Sequence, residues 1–274
     1  MEDQFEMAAG SVIGTEHLRT GKNNQDAFYS LRQPMVTVAV VCDGCGSSAH
    51  SEVGAKLGAR WIAEAIAQRL DAGQDLSEPF WWGVQRSVLA QLRALVERFG
   101  GDRPQVVQDY LLFTVVGAVV TPTETQVFGL GDGAIAVNGH LQHLGPFPNN
   151  APPYLAYGLL VPDTARSPIL DLQIHHSLAT QDVQSILIGT DGLEDFCRAA
   201  DQPGPDPSTP LGPLSQFWQD DRYFRNPDAV RRQLTRLNHQ RTIANWQAQQ
   251  LTKFGGLLRD DTTLIVLRKR SPST

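Results

Sequence analysis

Residues 111–138 constrain the fold more than any other part of the chain. Three runs dense in Val, Ile, Phe and Thr follow one another there, 111–120 (LLFTVVGAVV), 126–130 and 134–138, separated by little more than TPTET and GDG. A parallel crossover needs about a dozen residues or more, so connections this short specify antiparallel hairpins. Residues 35–41, 185–189 and 263–267 repeat the pattern, each bounded by Gly, Asp or Pro, which is the signature of strands. Helical spacing appears elsewhere. Residues 52–70 place Val53, Leu57, Trp61, Ile62, Ala65, Ile66 and Leu70 on one stripe, and 81–99 do the same with Trp81, Val84, Val88, Leu92, Leu95 and Phe99. Residues 228–251 continue the period through Val230, Leu234, Leu237, Ile243 and Trp246. Residues 145–168 and the proline-rich 200–213 read as surface loops. Hairpins together with paired helices define an α+β layered domain and not a doubly wound one.

Charge and composition narrow the function classes. Twenty-three basic against twenty-nine acidic residues give a net charge of −6, which argues against a nucleic-acid or anionic-membrane binder. With 41% hydrophobic and 19% charged residues in 274, the chain is ordinary globular material, sized for one large domain or two small ones. Three cysteines, an odd number, argue against a disulfide framework and for a reducing compartment. The acidic start MEDQFEMAAG lacks the features of a signal peptide, and no run approaches the roughly 18 apolar residues of a membrane span. The expectation is a cytoplasmic protein.

What stands above this background is the placement of aspartates. Asp26 lies in NNQDAF before a β-rich segment, and Asp43 follows VTVAVVC and opens DGCGSS. Asp132 sits in GLGDGA between two runs, Asp191 follows SILIG in TDGLEDF, and Asp260 and Asp261 precede TTLIVL. Any one Asp-Gly is a common turn dipeptide. Every carboxylate at a strand end, in this order, is a different matter, because they could converge on one edge of a β-structure. Carboxylates gathered there repel and raise one another's pKa unless a cation neutralises them. An all-oxygen set suits Mg²⁺ or Mn²⁺ and not zinc.

Competing motifs fail on context. GLGDGA fits a dinucleotide fingerprint only if a helix follows, and AIAVNGHLQ reads as strand. Gly21-Lys22 lacks the spacing and the Ser/Thr of a P-loop. Cys42 and Cys45 have only Cys197 for company, so zinc is improbable, and Cys42 reads as a small buried residue. His175-His176 reads as a surface turn, Trp81-Trp82 as the buried side of a helix, and Ser47 and Ser48 as pocket-lining candidates.

The succession NNQDAF, DGCGS, GDG, TDGLEDF and RDDTTLIVL resembles the metal-dependent serine/threonine protein phosphatases of the PP2C (PPM) family. The opening Gly14, Thr15, Glu16, His17 … Gln25, Asp26, Ala27 is similar to its bacterial branch, and the match runs from about residue 8 to 270. The resemblance implies a single domain over residues 1–274, built as a four-layer αββα sandwich of two antiparallel β-sheets flanked by helix pairs. It implies hydrolysis of phosphoserine or phosphothreonine by a water shared between two Mn²⁺ or Mg²⁺ ions, with a third ion in bacterial members. Asp43 would bridge the two, with the Gly44 carbonyl on the second. Asp191 and Asp260 would complete the first, Asp26 would hold waters on the second, and Asp132 with Asp191 would form the third. A phosphorylated protein client and a cognate Ser/Thr kinase are the implied partners of a monomer. Two departures matter. Animal members have a histidine, proposed as general acid, where this chain has Cys45. The family's phosphate-gripping arginine is replaced by Gly21, leaving Arg19, Lys22 or His17 to substitute. Asp261 stands where many relatives have Asn, as a residue behind the ligands, and residues 145–168 occupy the interval of a mobile flap. Two alternatives stay open on these residues: a non-catalytic module that binds metal and a phosphorylated partner, and a phosphatase of small phosphoesters.

Overall fold

A computed structural model describes residues 4–161, 167–199, 211–247 and 249–270. Strand β1 (Phe5–Val12) leads through α1 (Thr15–Thr20) to a hairpin of β2 (Ala27–Arg32) and β3 (Thr37–Cys42). Helices α2 (Ser51–Asp71), α3 (Glu78–Phe99) and α4 (Arg103–Tyr110) follow. Next come β4 (Val115–Val120), β5 (Glu124–Leu130), β6 (Gly133–Val137) and β7 (His140–Leu144), then β8 (Gln173–Ala179) and β9 (Ser185–Gly189). Four short helices close the second half: α5 (Leu193–Ala199), α6 (Gln216–Gln219), α7 (Arg222–Arg225) and α8 (Ala229–Asn238). The hairpin β10 (Arg241–Asn245)–β11 (Gln250–Phe254) and β12 (Thr262–Lys269) complete the chain.

Two five-stranded sheets result, in the orders β2-β3-β4-β5-β8 and β1-β12-β9-β6-β7, and every pairing is antiparallel. Because side chains alternate along a strand, β3 serves two cores at once. Val38 and Val40 face the layer of α2 and α3, while Ala39 and Val41 face the other sheet with Val116, Ile135, Ile188 and Ile265. That double burial is why TVAVVC and VVGAVV carry no polar alternation. On the far side, Leu234, Leu237, Phe196 and Phe217 from α5, α6 and α8 pack on Leu187, Leu264 and Val266. The layers are therefore α, β, β, α, as the resemblance implied. Helix α3 buries Val84, Val88, Leu92 and Val96 at four-residue spacing, with Pro79 in its first turn where no N–H is needed. Full burial of each such side chain contributes about 1.5–3 kcal/mol.

The structure departs from the sequence reading in several places. The GDG connection is not a hairpin. β4 and β5 pair as expected, but β6 joins the opposite sheet between β9 and β7. Asp132 thus marks a corner where the chain passes from one sheet to the other. Gly133 makes the corner: its φ is +145°, and a Cβ there would lie 2.6 Å from Val116 Cγ2 and 2.8 Å from the Gly189 carbonyl. The helix expected over 228–251 stops at Asn238, whose buried amide donates to the Ile13 carbonyl at 2.6 Å, and the remainder turns into β10–β11. Trp81 is buried and donates to Gln126 Oε1 at 2.8 Å, whereas Trp82 is 37% exposed. His175 and His176 lie within β8 and not at a turn. Of the two expected loops, residues 162–166 and 200–210 lie outside the described residues.

Gly133→Ala should lower unfolding stability by about 2–4 kcal/mol in urea titration, through contact and backbone strain together. Gly139→Ala, at φ +85° but with open space around it, should lose only about 1–2 kcal/mol. Equal losses would mean the corner is not tightly packed.

Candidate active site

Strand pairing delivers the acidic residues to one place. Ala27 faces Cys42 across β2 and β3, so Asp26 and Asp43, one step outside that pair, leave the first sheet at the same edge. In the second sheet Gly189 of β9 is flanked by Leu264 of β12 and Ala134 of β6. Asp191 lies just beyond β9, Asp132 just before β6, and Asp260 and Asp261 just before β12. The two edges meet. Thr190 Oγ1 donates to Asp26 Oδ2 at 2.8 Å and accepts the Thr263 N–H at 3.1 Å, which ties one sheet to the other.

The electrostatics record the convergence. Burial, and then the charges of Asp26, Asp191, Asp260 and Asp132 in that order, push the Asp43 carboxyl well above the usual range. Burial and then Asp261 do the same to Asp26. Asp191 is raised to about 6 by burial and then by Asp260 and Asp132. Burial also lifts Asp132 and Asp260. Asp191 Oδ1 is buried with no hydrogen-bond partner. A buried oxygen left unpaired among like charges is unfavourable unless something positive meets it.

Asp261 has a different job. Its Oδ1 accepts the Gly14 N–H at 2.6 Å, and its Oδ2 accepts the Gln25 N–H at 2.6 Å and His17 Nδ1 at 2.8 Å. His17, Asp260 and Asp261 each place one potential ligand atom within 4.8 Å of the others. With three N–H donors on it, however, Asp261 is satisfied by the chain itself and clamps the first acidic motif to the last. Gly14 allows the close approach, since a Cβ there would lie 2.4 Å from the Arg259 carbonyl.

The cations separate cleanly. Lys22 Nζ donates to the Gly46 carbonyl, on the turn that follows Asp43 and Gly44. His17, pinned through Nδ1, points Nε2 at the same turn, where a Cβ on Gly46 would lie 3.9 Å away. Arg19 is 72% exposed and bound to Glu16 at 2.6 Å, so it is not among the groups at that turn. Burial alone would push the Cys45 thiol up, but hydrogen bonds from Ser47, Tyr154 and Ser48 outweigh it and hold the thiol below its ordinary value. Tyr154, from the expected flap interval, is buried, and its hydroxyl feels Cys45, Asp132 and Asp43. Tyr157 packs edge-on against it at 5.5 Å. Ser47 sits beside Cys45 at 3.2 Å, while Ser48 is tied inward to the Gln108 carbonyl at 2.6 Å.

The sequence reading missed the supports. Thr190 joins the sheets, and Asp195 Oδ2 accepts the Arg259 N–H at 2.7 Å and holds the approach to Asp260. Asn24 caps Asp26 through its Oδ1 at 3.0 Å and donates to Ser11 at 2.8 Å. Each is a Thr, Asp or Asn at an element boundary, where local turn and capping roles are the ordinary reading.

Residues 13–253 match the model of the family described as protein phosphatase 2C, and the chain belongs to that family. The matched stretch contains Asp26, Asp43, Asp132 and Asp191 and ends before Asp260. Among solved structures, PppA, described as a key regulatory component of T6SS in Pseudomonas aeruginosa, is 19% identical with TM-score 0.54, over 97% of this chain and 98% of that one. The catalytic domain of the serine threonine protein phosphatase PstP, in complex with 2 manganese ions, is 12% identical with TM-score 0.52, over 98% and 99%. The serine/threonine phosphatase Stp1 from Staphylococcus aureus is 13% identical with TM-score 0.51, over 97% and 96%. These likenesses establish the shared fold. No curated protein sequence matches the chain significantly.

In chelator-treated protein, Asp191 has a folded-state pKa near 6, above the roughly 3.9 of an unfolded aspartate. Its contribution to stability is present below about pH 4 and is lost as pH rises through 6, on the order of 3 kcal/mol. The urea midpoint of the chelated protein should therefore fall mainly between about pH 4 and 6. Asp191→Asn should remove much of that fall; a variant keeping the wild-type slope would place the titration elsewhere.

Proposed function

We propose that the chain is a divalent-metal-dependent phosphatase acting on phosphoserine or phosphothreonine in a protein. The convergence of Asp26, Asp132, Asp191 and Asp260 on Asp43, with Asp191 Oδ1 buried and unpaired, carries the reading. The donor set fits the ions, being all carboxylate and lying at an edge where each charge raises its neighbours. Asp43, Asp191 and Asp260 would hold one Mn²⁺ or Mg²⁺. Asp43, the Gly44 carbonyl and Asp26 would hold a second, and Asp132 with Asp191 a third. Bound there, such ions supply an activated water and neutralise charge on the phosphoryl oxygens.

The chain's own residues do the rest. Lys22, at the Gly46 turn, meets the phosphate as a point charge, in place of the bidentate fork an arginine would give. His17 is oriented by Asp261 and offers Nε2 to the same phosphate oxygens. Cys45, on that same turn, and Tyr154 stand together beside the acidic edge, where they would contact the bound phosphoester. A kinase that writes the phosphate on the same client is the implied counterpart. No helix among the described residues is long and apolar enough to cross a membrane.

Turnover of p-nitrophenyl phosphate should require Mn²⁺ or Mg²⁺, vanish with chelator, and be lost in Asp43→Asn. Unchanged turnover in that variant would refute the assignment, and metal binding by calorimetry without any turnover would favour a non-catalytic binding module. Lys22→Ala should raise KM roughly tenfold, as expected for one charged phosphate contact. Arg19→Ala should leave KM unchanged; the reverse result would move the phosphate grip from Lys22 to Arg19.

A further inference from the structure

Away from the acidic edge, α6, α7 and α8 border an open, shallow cleft of about 820 Å³. Arg222, Arg225, Arg232 and Arg236 line it around the Tyr223 ring. Only Asp220 and Asp221 oppose them on its walls, so the cleft is net positive in a chain of net charge −6. The spacing is helical: Arg222 and Arg225 share a face of α7, and Arg232 and Arg236 share a face of α8. Arg236 pairs with no carboxylate among the described residues, and its charge reaches the Tyr223 hydroxyl. The other three hold exposed partners, Arg222 on Asp220 at 3.1 Å, Arg225 on Asp221 at 3.2 Å and Arg232 on Asp228 at 2.8 Å. Pairs so exposed are worth about 0–1 kcal/mol, so a phosphate dianion can take over the guanidinium donors at little loss. The floor is fixed. Tyr223 is buried, accepts from Arg222 at 2.6 Å and donates to Gln216 at 2.6 Å.

We propose that this cleft docks a second phosphorylated residue of the protein substrate. The inference rests on the phosphatase reading above and specifies its client as multiply phosphorylated. Three observations select that occupant. The lining is made of guanidinium groups, amides and two carboxylates, with Ala229 and Tyr223 its only non-polar residues, so its recognition chemistry is that of an anion. The net charge of the chain gives a phosphoprotein no long-range attraction, so affinity must come from a local basic feature. The position suits a tether: Asp221 on the cleft wall meets Arg268 Nη1 at 3.0 Å. Arg268 lies six residues along β12 from Thr262, roughly 20 Å from the acidic edge. An extended peptide spans that distance, with allowance for curving over the surface, in about six to ten residues.

The test compares peptides of one sequence carrying a single phosphoserine, or that phosphoserine and a second one about five, ten or fifteen residues away. With the wild-type protein, kcat/KM should rise about tenfold for the doubly phosphorylated peptide near ten residues of separation. Arg225→Gln combined with Arg236→Gln changes two exposed side chains. It should abolish that gain and leave p-nitrophenyl phosphate turnover and the thermal midpoint as in the wild type. No gain at any spacing, or a gain that survives in the double variant, overturns the proposal. So does competition by ATP in the absence of any effect of the second phosphate, which would make the cleft a nucleotide site. If p-nitrophenyl phosphate itself is not hydrolysed, the phosphatase reading fails separately. Docking is then decided by calorimetric binding of the doubly phosphorylated peptide to the wild type and the double variant, with equal affinities overturning it.

Discussion

Asp261 joins the two ends of the chain. One carboxylate receives N–H groups from Gly14, His17 and Gln25, which precede Asp26, and it belongs to the residue adjoining Asp260. β1 and β12 pair along their whole length, so the clamp closes a seam that the strands have already aligned. Charge-assisted bonds to backbone N–H groups are among the stronger hydrogen bonds available, and here they are buried. Without them the first acidic motif would keep its other ties, among them Thr190 to Asp26 and Asn24 to Ser11, but would lose its buried link to the last motif. The position of the acidic edge relative to its cations thus draws on this side chain together with those ties.

Against that fixed frame stands a repulsion the fold does not relieve by itself. Asp43 and its four acidic neighbours are brought together by strand ends from two different sheets, and among the described residues no arginine or lysine forms an ion pair with them. Lys22 gives its ammonium to the Gly46 carbonyl. Such an edge persists because three hydrophobic clusters and the Asp261 clamp hold the sheets in register regardless. Stability and function are opposed locally, as they usually are where charges are stored for binding.

Sequence patterns revealed the layers and the acids but not how the chain travels between sheets. TPTET was legible as a hairpin because both flanking runs enter one sheet. GDG was misread because a turn signal says that the chain bends, not which sheet receives it. β1 escaped notice because EMAAGS has few β-branched residues; it is a strand by virtue of pairing with β12. The helical period through Ile243 and Trp246 was real as a pattern, yet the chain leaves the helix at Asn238 and pairs as β10–β11 instead. The acids were legible because each sits at a strand boundary beside a recognisable run. The choice among Arg19, Lys22 and His17 was not, since all three lie within one short segment and only the direction of each side chain separates them.

That separation shapes how an anion can approach. A phosphate dianion meeting five carboxylates would be repelled, and at short range Coulomb repulsion outweighs one lysine. The acidic edge therefore favours a divalent cation first and an anion only afterwards, while the basic cleft on α7 and α8 has no such precondition. Two anion-accepting regions with opposite requirements, one conditional on cations and one built into the side chains, follow from the same −6 chain. On the phosphatase reading proposed above, the acidic edge decides whether chemistry is permitted. The arginines decide which anions linger near it.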